Sequence, residues 1–407
     1  MTLKWDRKHF VLFLVFIGYL LCYVDRMVMA TAIPYIGKDL NLTKTAMGAV
    51  MSAFFIGYMA FQIPAGVLVD RYGARKTMAF AITMWTIFTA VTGMVSNLTQ
   101  MLITRVLFGL GESPYPPASL KSTALWFEPS KRGFATSIII STNSWGPALA
   151  PLYAVAAMSL WGWRGTFYSL VIPGIILLVL ITKYASDNPV ITAKDSELAV
   201  NEERRGEGNY SFWNVLNEPI VWKSTIVFFF FNIACWGFKS WLPTYLVSAR
   251  HMKMQTMGIA VSLPFFAGIV GTLCGGWLSD GRFKDNRMIP VVAFQVATGI
   301  LFYLMYSVES IELVVIYQTL AGFCLSAALG GLWAIPVSAI SKKLTGRAIG
   351  IFNTGGQIPG FLSPVIIGYL VDLSQGSFHT SFIFMISCII ISVVLGVTLK
   401  VRSSSED

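Results

Sequence analysis

Two ionisable residues stand side by side in a long apolar stretch near the start of the chain. Asp25 and Arg26 lie within the apolar run 10–36. An ionisable side chain at the centre of a bilayer costs about 2.5–3.5 kcal/mol on the mildest insertion scale, and such residues usually face a cavity or one another. A carboxylate there could take up and release a proton, and a guanidinium could hold an anion. This pair is therefore the first candidate for chemistry.

A second charged pair, Arg105 and Glu112, lies in a later apolar run. Seven residues make two helical turns, so both side chains project from one helix face about 10 Å apart. Asp25 and Arg26 project about 100° apart, so each needs a partner from another helix. We expect the four residues to meet. They would form either a site that exchanges protons and binds anions or an ion-pair network that only ties two helices together.

Uncharged polar residues in other apolar runs could contact the hydroxyl groups of a ligand. Tyr58 and Gln62 are four residues apart, as are Asn353 and Gln357, so each pair shares a helix face. Asn143 lies in a short polar cluster in a third run. For Asn353 and Gln357, hydrogen bonding between helices is an alternative to ligand recognition.

A lysine flanked by tryptophans lies in the second half of the chain. Lys239 falls between Trp236 and Trp241 within the apolar run 220–248. A second cation could bind a second carboxylate, which would favour a dicarboxylate, or an aromatic acid that stacks on one of the tryptophans. The alternative is an interfacial lysine whose ammonium reaches the membrane surface along its aliphatic stem.

The composition indicates which elements must position these residues. Of 407 residues, 55% are hydrophobic and 12% are charged, about half the charge of an average soluble domain. The net charge of +10 does not indicate nucleic-acid binding, because 21 of the 30 Lys and Arg residues fall on one set of alternate loops. By the positive-inside rule those loops and both termini are cytoplasmic.

The apolar runs predict an all-α membrane protein with twelve transmembrane helices, since about 20 apolar residues span a bilayer. The long polar stretch 185–219 predicts a cytoplasmic linker between two six-helix bundles, 1–184 and 220–407. The predicted spans are 10–36, 46–69, 78–95, 101–127, 133–160, 166–184, 220–248, 256–279, 288–307, 313–340, 348–371 and 378–400.

The two halves repeat one another in sequence. Three features recur at offsets of 209 to 215 residues: Pro34 with Pro243, Asp70 with Asp280, and Arg132 with Arg347. Parallel halves related by an axis along the membrane normal are typical of the major facilitator fold.

Several motifs carry a family resemblance over nearly the whole chain. The loop Gly66-x-Leu68-x-Asp70-Arg71-x-Gly73-x-Arg75-Lys76 is similar to the signature loop of the major facilitator superfamily. Within it, the chain resembles the anion:cation symporters through Tyr23-x-Asp25-Arg26, Gln62-Ile63-Pro64-x-Gly66, Arg105-x-x-x-Gly109-x-x-Glu112-x-Pro114 and Trp126-Phe127-x-x-x-x-Lys131-Arg132-Gly133.

The resemblance implies a proton-coupled symporter that imports a small organic anion, most simply a sugar acid such as an aldonate, aldarate or hexuronate. It implies that Asp25 and Glu112 couple protons and that Arg26 or Arg105 neutralises or binds the anion. Tyr58 matches a substrate-binding tyrosine. Several members have Gln-Tyr where this chain has Asn143 and Ser144, and that departure leaves the substrate open.

The resemblance also implies a gate at the cytoplasmic face. Asp70 would cap the start of the eleventh span when the inner side is closed, and the basic residues would bridge neighbouring helices. Lys121, in the fourth span, would reach the cytoplasmic interface or guide the anion. The predicted gating residues are Asp70, Arg71, Arg75, Lys76, Asp280 and Arg282.

Other functions are less consistent with the sequence. The five cysteines form no CxxC or metal-ligand spacing, and no catalytic triad or nucleotide motif is present, so we expect no enzyme, metal or cofactor besides protons. A channel would favour rings of identical subunits, and an exporter or exchanger of the same fold remains an alternative. The expected partners are the anion, protons and the lipid bilayer, with a monomer in a bacterial inner membrane.

Overall fold

The computed structural model describes residues 7–187, 219–283, 286–339 and 345–399. All regular structure in these ranges is helical. Most of the predicted linker, 188–218, and both chain ends lie outside them. The helices are α1 (Arg7–Asp39), α2 (Lys44–Tyr72), α3 (Ala74–Met94), α4 (Leu98–Glu112), α5 (Tyr115–Trp126), α6 (Pro129–Ile140), α7 (Thr142–Tyr184), α8 (Pro219–Ser248), α9 (Met254–Asp280), α10 (Met288–Ser307), α11 (Ile311–Ala339), α12 (Thr345–Leu373) and α13 (His379–Val397).

Most of these helices suit a membrane. In the described ranges, ten helical stretches are long and apolar enough to cross a bilayer, with α6 and α7 counted as one. Helices α4 and α5, with 15 and 12 residues, are each shorter than the ~20 residues that a crossing needs. The all-helical membrane fold is thus confirmed, and twelve crossings follow if α4 with α5 makes one and α6 with α7 makes two.

The fourth predicted span, 101–127, is two helices rather than one. Helix α4 ends at Glu112, and the first turn of α5 contains Pro116 and Pro117. Proline has no N–H to donate to the preceding turn and is tolerated only at the start of a helix. The helical hydrogen-bond ladder therefore stops just after Glu112.

The fifth and sixth predicted spans meet within α7. Gly162 has φ +66°, a left-handed conformation that glycine adopts without strain, and it turns the chain between the two spans. The start of the fifth span is also interrupted, because α6 ends at Ile140 and α7 begins at Thr142. At this break the hydroxyls of Ser141 and Thr142 donate to carbonyls three residues earlier, each at 2.6 Å.

The described chain forms two compact units. Of the described residues, 7–42 and 49–187 make up the first unit, and 43–48 together with those from 219 onward make up the second. The candidate residues Asp25, Arg26, Arg105 and Glu112 all belong to the first unit, and Lys239 belongs to the second.

The same close helix approach occurs in both units. In the first, Gly109 of α4 packs so tightly on α2 that a Cβ would overlap the carbonyl oxygen of Phe54. In the second, Gly322 of α11 packs in the same way on the carbonyl oxygen of Pro264 in α9. The two glycines are 213 residues apart and the two carbonyls 210. The internal sequence repeat therefore has a counterpart in helix packing.

Candidate functional site

Arg26 and Glu112 form a buried ion pair that joins α1 to α4. Arg26 Nη2 donates to Glu112 Oε1, and the two residues are 8% and 0% exposed. Glu112 Oε2 and Arg26 Nε have no further hydrogen-bond partner in the described part of the chain. The sequence predicted a partner for Arg26 from the fourth span, and the structure selects Glu112 for this role.

Three aromatic rings surround the Arg26 guanidinium. Its Cζ atom lies 4.4 Å from the ring centre of Phe54, 5.0 Å from that of Tyr23 and 5.1 Å from that of Tyr58. A desolvated guanidinium over aromatic faces gains about 2 kcal/mol or more. These rings hold the cation in a site from which water is largely excluded. They place Tyr58, predicted to bind substrate, directly beside the ion pair.

Arg105 is a second buried guanidinium, and it is less well paired. The residue is 2% exposed, and its Cζ atom lies 4.4 Å from the ring centre of Phe108 and 5.9 Å from that of Phe54. Asp25 and Glu112 are near enough to interact with it electrostatically. Its Nε and Nη1 atoms nevertheless find no hydrogen-bond partner within the described residues. Phe54 thus lies between two guanidiniums, one neutralised and one with free donors.

Asp25 is hydrogen-bonded to a residue that sequence reasoning missed. Asp25 is 4% exposed, and its Oδ2 accepts a hydrogen bond from Thr89 Oγ1 of α3. Arg105 influences it only through space, so the expected direct pairing of Asp25 with a basic residue of the fourth span is absent among the described contacts. The sequence offered one indication of this contact, a threonine at every third position of the third predicted span: Thr83, Thr86, Thr89 and Thr92.

The four charged residues therefore come together in one buried region of the first unit. Two carboxylates and two guanidiniums balance in formal charge. Buried charges of this kind are stable only when they are paired and hydrogen-bonded. Protonation of either carboxylate would leave a net positive charge, which an anion can neutralise. The arrangement can therefore link proton uptake to anion binding.

The other predicted ligand contacts are scattered over the two units. Gln62 and Asn143 are exposed in the first unit. In the second unit Asn353 and Gln357 are half-buried, and Gln357 Oε1 is buried with no partner that the described residues supply. Trp241 is 2% exposed, and its indole N–H donates to the Pro364 carbonyl at 3.0 Å. That indole is used in helix packing.

Lys239 is half-buried on α8. Its Nζ atom lies 5.4 Å from the ring centre of Trp236, and the Trp236 indole N–H donates to the Gly356 carbonyl of α12 at 3.3 Å. No carboxylate pairs with Lys239 in the ranges that the structure describes. The ammonium is held by an aromatic face and keeps its donors for another partner.

The predicted gating loop has contacts of its own in the first unit. Lys121 Nζ donates to the exposed Asp70 carboxylate at 2.9 Å and to the Val69 carbonyl at 3.1 Å, so Lys121 binds this loop. Gly73 has φ +83°, and Asp187 Oδ1 accepts from the Arg75 backbone N–H at 2.9 Å. Asp187, which sequence reasoning missed, therefore caps the start of α3.

The gating roles themselves stay a prediction. The side chains of Arg71, Arg75, Lys76 and Arg282 are exposed. The side chain of Asp280, and the start of the eleventh span that Asp70 is expected to cap, lie outside the described side chains.

Comparisons with known proteins identify the family and the fold. The profile of the Major Facilitator Superfamily matches residues 15–364. The chain is 28% identical over 387 residues to the hexuronate transporter of Bacillus subtilis (strain 168), with 93% of this chain and 91% of that one covered. It is 29% identical over 402 residues to the probable sulfoacetate transporter SauU of Cupriavidus necator, with 95% and 92% covered.

A solved structure shares the fold. A bacterial homolog of the human lysosomal transporter Spinster, in an inward-facing and occupied conformation, matches with a TM-score of 0.84 at 16% identity. The match covers 98% of each chain.

Proposed function

The chain belongs to the Major Facilitator Superfamily, and from this premise we propose that it is a proton-coupled symporter that imports a small organic anion by alternating access. It is a multi-pass membrane transporter and not an enzyme. The proposed substrate is a sugar acid, an aldonate, aldarate or hexuronate, in line with the hexuronate transporter among its relatives. The proposed location is a bacterial inner membrane, with a monomeric chain and both termini in the cytoplasm.

The observation that carries the proposal is the buried set of two carboxylates and two guanidiniums in the first unit. Arg105 keeps two buried donors, Nε and Nη1, for which the described part of the chain offers no acceptor. A guanidinium matches a carboxylate through two parallel hydrogen bonds. We therefore assign Arg105 to the anion. We propose that Tyr58, Gln62, Asn143, Asn353 and Gln357 supply further hydrogen bonds to its hydroxyl groups.

Glu112 links the anion to a proton. While it is ionised, Glu112 neutralises Arg26. When it takes up a proton, its charge disappears and the Arg26 guanidinium becomes available to the anion. Binding of the anion and protonation of Glu112 therefore favour each other. This reciprocal linkage is what a symporter needs.

Asp25 supplies the second proton site. No guanidinium is hydrogen-bonded to it in the described structure, and its Oδ1 atom has no partner there. Its protonation state can change as its access to water changes during transport. If both carboxylates carry a proton, a monoanion moves with a net positive charge and a dianion moves without one.

Uptake into proteoliposomes tests the proposal. With an inward proton gradient, we expect the internal hexuronate concentration to rise above the external one and the lumen to acidify. A channel would only equalise the two concentrations. An exchanger would need anion inside the vesicle, and an exporter would fill vesicles only when the proton gradient is reversed. Any of these last results would contradict import by symport.

A dianionic substrate is the second candidate, and Lys239 favours it. Its ammonium has no carboxylate partner in the described part of the protein, and one relative is named for sulfoacetate, a molecule with two anionic groups. We expect Lys239→Gln to weaken the binding of a dicarboxylate roughly 10-fold or more while hexuronate binding changes little. The exposed Lys223 of the same helix, changed to Gln, is the control. Equal effects on the binding of both substrates would show that Lys239 does not determine selectivity.

A further inference from the structure

Among the threonines of α3, Thr89 alone donates its hydroxyl to a side chain of another helix. Thr83 and Thr92 donate their hydroxyls to carbonyls of their own helix, those of Ala79 at 2.8 Å and Phe88 at 2.7 Å. This is the usual arrangement for a threonine within a helix. Thr89, which is 1% exposed, donates instead to the Asp25 carboxylate of α1. Its hydroxyl is therefore directed at a charged group on another helix.

The surroundings of Asp25 make this hydrogen bond influential. Arg105 and Glu112 of α4 interact with Asp25 electrostatically, and so does Tyr153 of α7. The Tyr153 hydroxyl is already bonded to Ser169 at 2.6 Å. Arg26, the next residue on α1, is bonded to Glu112. Of these groups and the described neighbours, Thr89 alone gives Asp25 a hydrogen bond.

We propose that Thr89 is a positioning residue for proton coupling: its hydroxyl orients the Asp25 carboxylate and sets the pH range in which Asp25 takes up its proton. The inference rests on the proposed symport. A hydrogen bond donated to a carboxylate stabilises the ionised form over the acid. Without the hydroxyl, Asp25 would take up its proton at a higher pH.

Three substitutions separate the hydroxyl from the volume of the side chain. Thr89→Val removes the hydroxyl and keeps the shape, and Thr89→Ser keeps the hydroxyl and loses a methyl group. Thr92→Val is the matched control, because that hydroxyl is equally buried but bonds within its own helix. Thr89→Ala replaces the valine variant if the latter does not fold.

Infrared difference spectroscopy on purified protein follows the Asp25 proton without transport. The protonated-carboxyl band that disappears in Asp25→Asn identifies the residue. We expect the pH midpoint of this band to rise by about one unit in Thr89→Val, the shift that loss of one hydrogen bond to a charged group gives. The pH dependence of anion uptake should move in the same direction. Thr89→Ser and Thr92→Val should match the parent protein.

An unchanged midpoint in Thr89→Val, or an equal shift in Thr89→Ser, would overturn the inference, since the hydroxyl would then not be responsible. The outcome for symport is read separately. If the parent protein does not accumulate anion under a proton gradient, the proposed function fails even where the band shifts. If accumulation depends on Asp25 but the midpoint does not depend on Thr89, only the role of Thr89 fails.

Discussion

The interiors of the two units share a packing scaffold but differ in chemistry. The first unit buries Asp25, Arg26, Arg105 and Glu112. Within the described residues of the second unit, the buried polar side chains are amides and hydroxyls only. Those that form hydrogen bonds within the described ranges bond to neutral partners. Gln318, for example, donates to the Ala260 carbonyl at 2.7 Å.

The sequence repeat identifies the residues of the second unit that stand at the positions of the four charged residues. An offset of 209 residues relates Pro34 to Pro243, and one of 213 relates Gly109 to Gly322. At these offsets, the four charged residues correspond to the buried, uncharged Ala234, Cys235, Gln318 and Leu325. The scaffold is thus stable without buried charge. Because buried charges are costly, the proposed coupling role gives a reason for charges that the scaffold itself does not need.

The largest effect is expected from substitutions that remove one of the buried carboxylates of the first unit. In Glu112→Gln or Asp25→Asn, the uphill accumulation of anion should fall to the level of empty liposomes, because an amide cannot carry the proton. Exchange of labelled for unlabelled anion should persist. Uptake under a proton gradient and counterflow measure the two activities.

The control lies in the other unit. Gln318→Met removes a buried amide at the position that corresponds to Arg105, and it should lower stability but retain accumulation. Accumulation that survives in both carboxylate variants would show that the charges are structural.

The next largest effect is expected on the affinity for the anion. Arg105→Gln gives the first unit the residue found at the corresponding place in the second. Loss of hydrogen bonds from a charged donor costs about 1.5–3 kcal/mol, so the Kd for the anion should rise roughly 10- to 100-fold. Titration calorimetry at fixed pH measures it.

An arginine of the same unit that is already paired serves as the control. Arg164 is bound to Asp39 at 2.5 Å near the turn at Gly162, and Arg164→Gln should leave the Kd unchanged. If Arg105→Gln binds the anion as tightly as the parent does, Arg105 does not contact it.

Smaller effects, on stability, are expected from substitutions at the two close-packed glycines, and they should be equal in the two units. Gly109→Ala and Gly322→Ala would each push a Cβ into a backbone carbonyl of the neighbouring helix. Overpacking of this kind costs about 1–3 kcal/mol, so both variants should unfold at similarly lowered temperatures. Gly276→Ala, where a Cβ would meet nothing within 4 Å, should unfold like the parent. Clearly unequal losses in the two glycine variants would break the structural equivalence of the units.

The smallest effect is expected at the exposed ion pair of Asp70 with Lys121. The Asp70 side chain is 83% exposed, and pairs in water contribute about 0–1 kcal/mol and are screened by salt. A double-mutant cycle with Asp70→Asn and Lys121→Met should give a coupling energy within that range, and it should fade in high salt. A coupling energy of several kcal/mol would mean that this pair behaves as a buried ion pair, like the buried charges of the first unit.

Much of the fold could be predicted from local sequence. Hydropathy and the distribution of Lys and Arg identified a helical membrane protein, and Asp25, Arg26, Arg105 and Glu112 were recognised because each interrupts an apolar run. The prolines behind the break after Glu112 were visible too, yet the run there is apolar enough to read as one continuous span.

Partner choice could not be read in the same way. The pairing of Arg26 with Glu112, the hydrogen bond from Thr89 to Asp25 and the cap that Asp187 places on α3 join residues far apart in the chain. Each depends on the rotation and depth at which two helices pack, and helical periodicity gives neither.

The sequence by itself thus determined that the chain is a helical membrane protein with charges buried in its first half, because bilayer insertion penalises every ionisable residue individually. Tertiary structure alone decided which carboxylate neutralises a guanidinium and which one a hydroxyl holds. The reason is physical: hydropathy is summed residue by residue along the chain, whereas a hydrogen bond between helices requires two atoms about 3 Å apart.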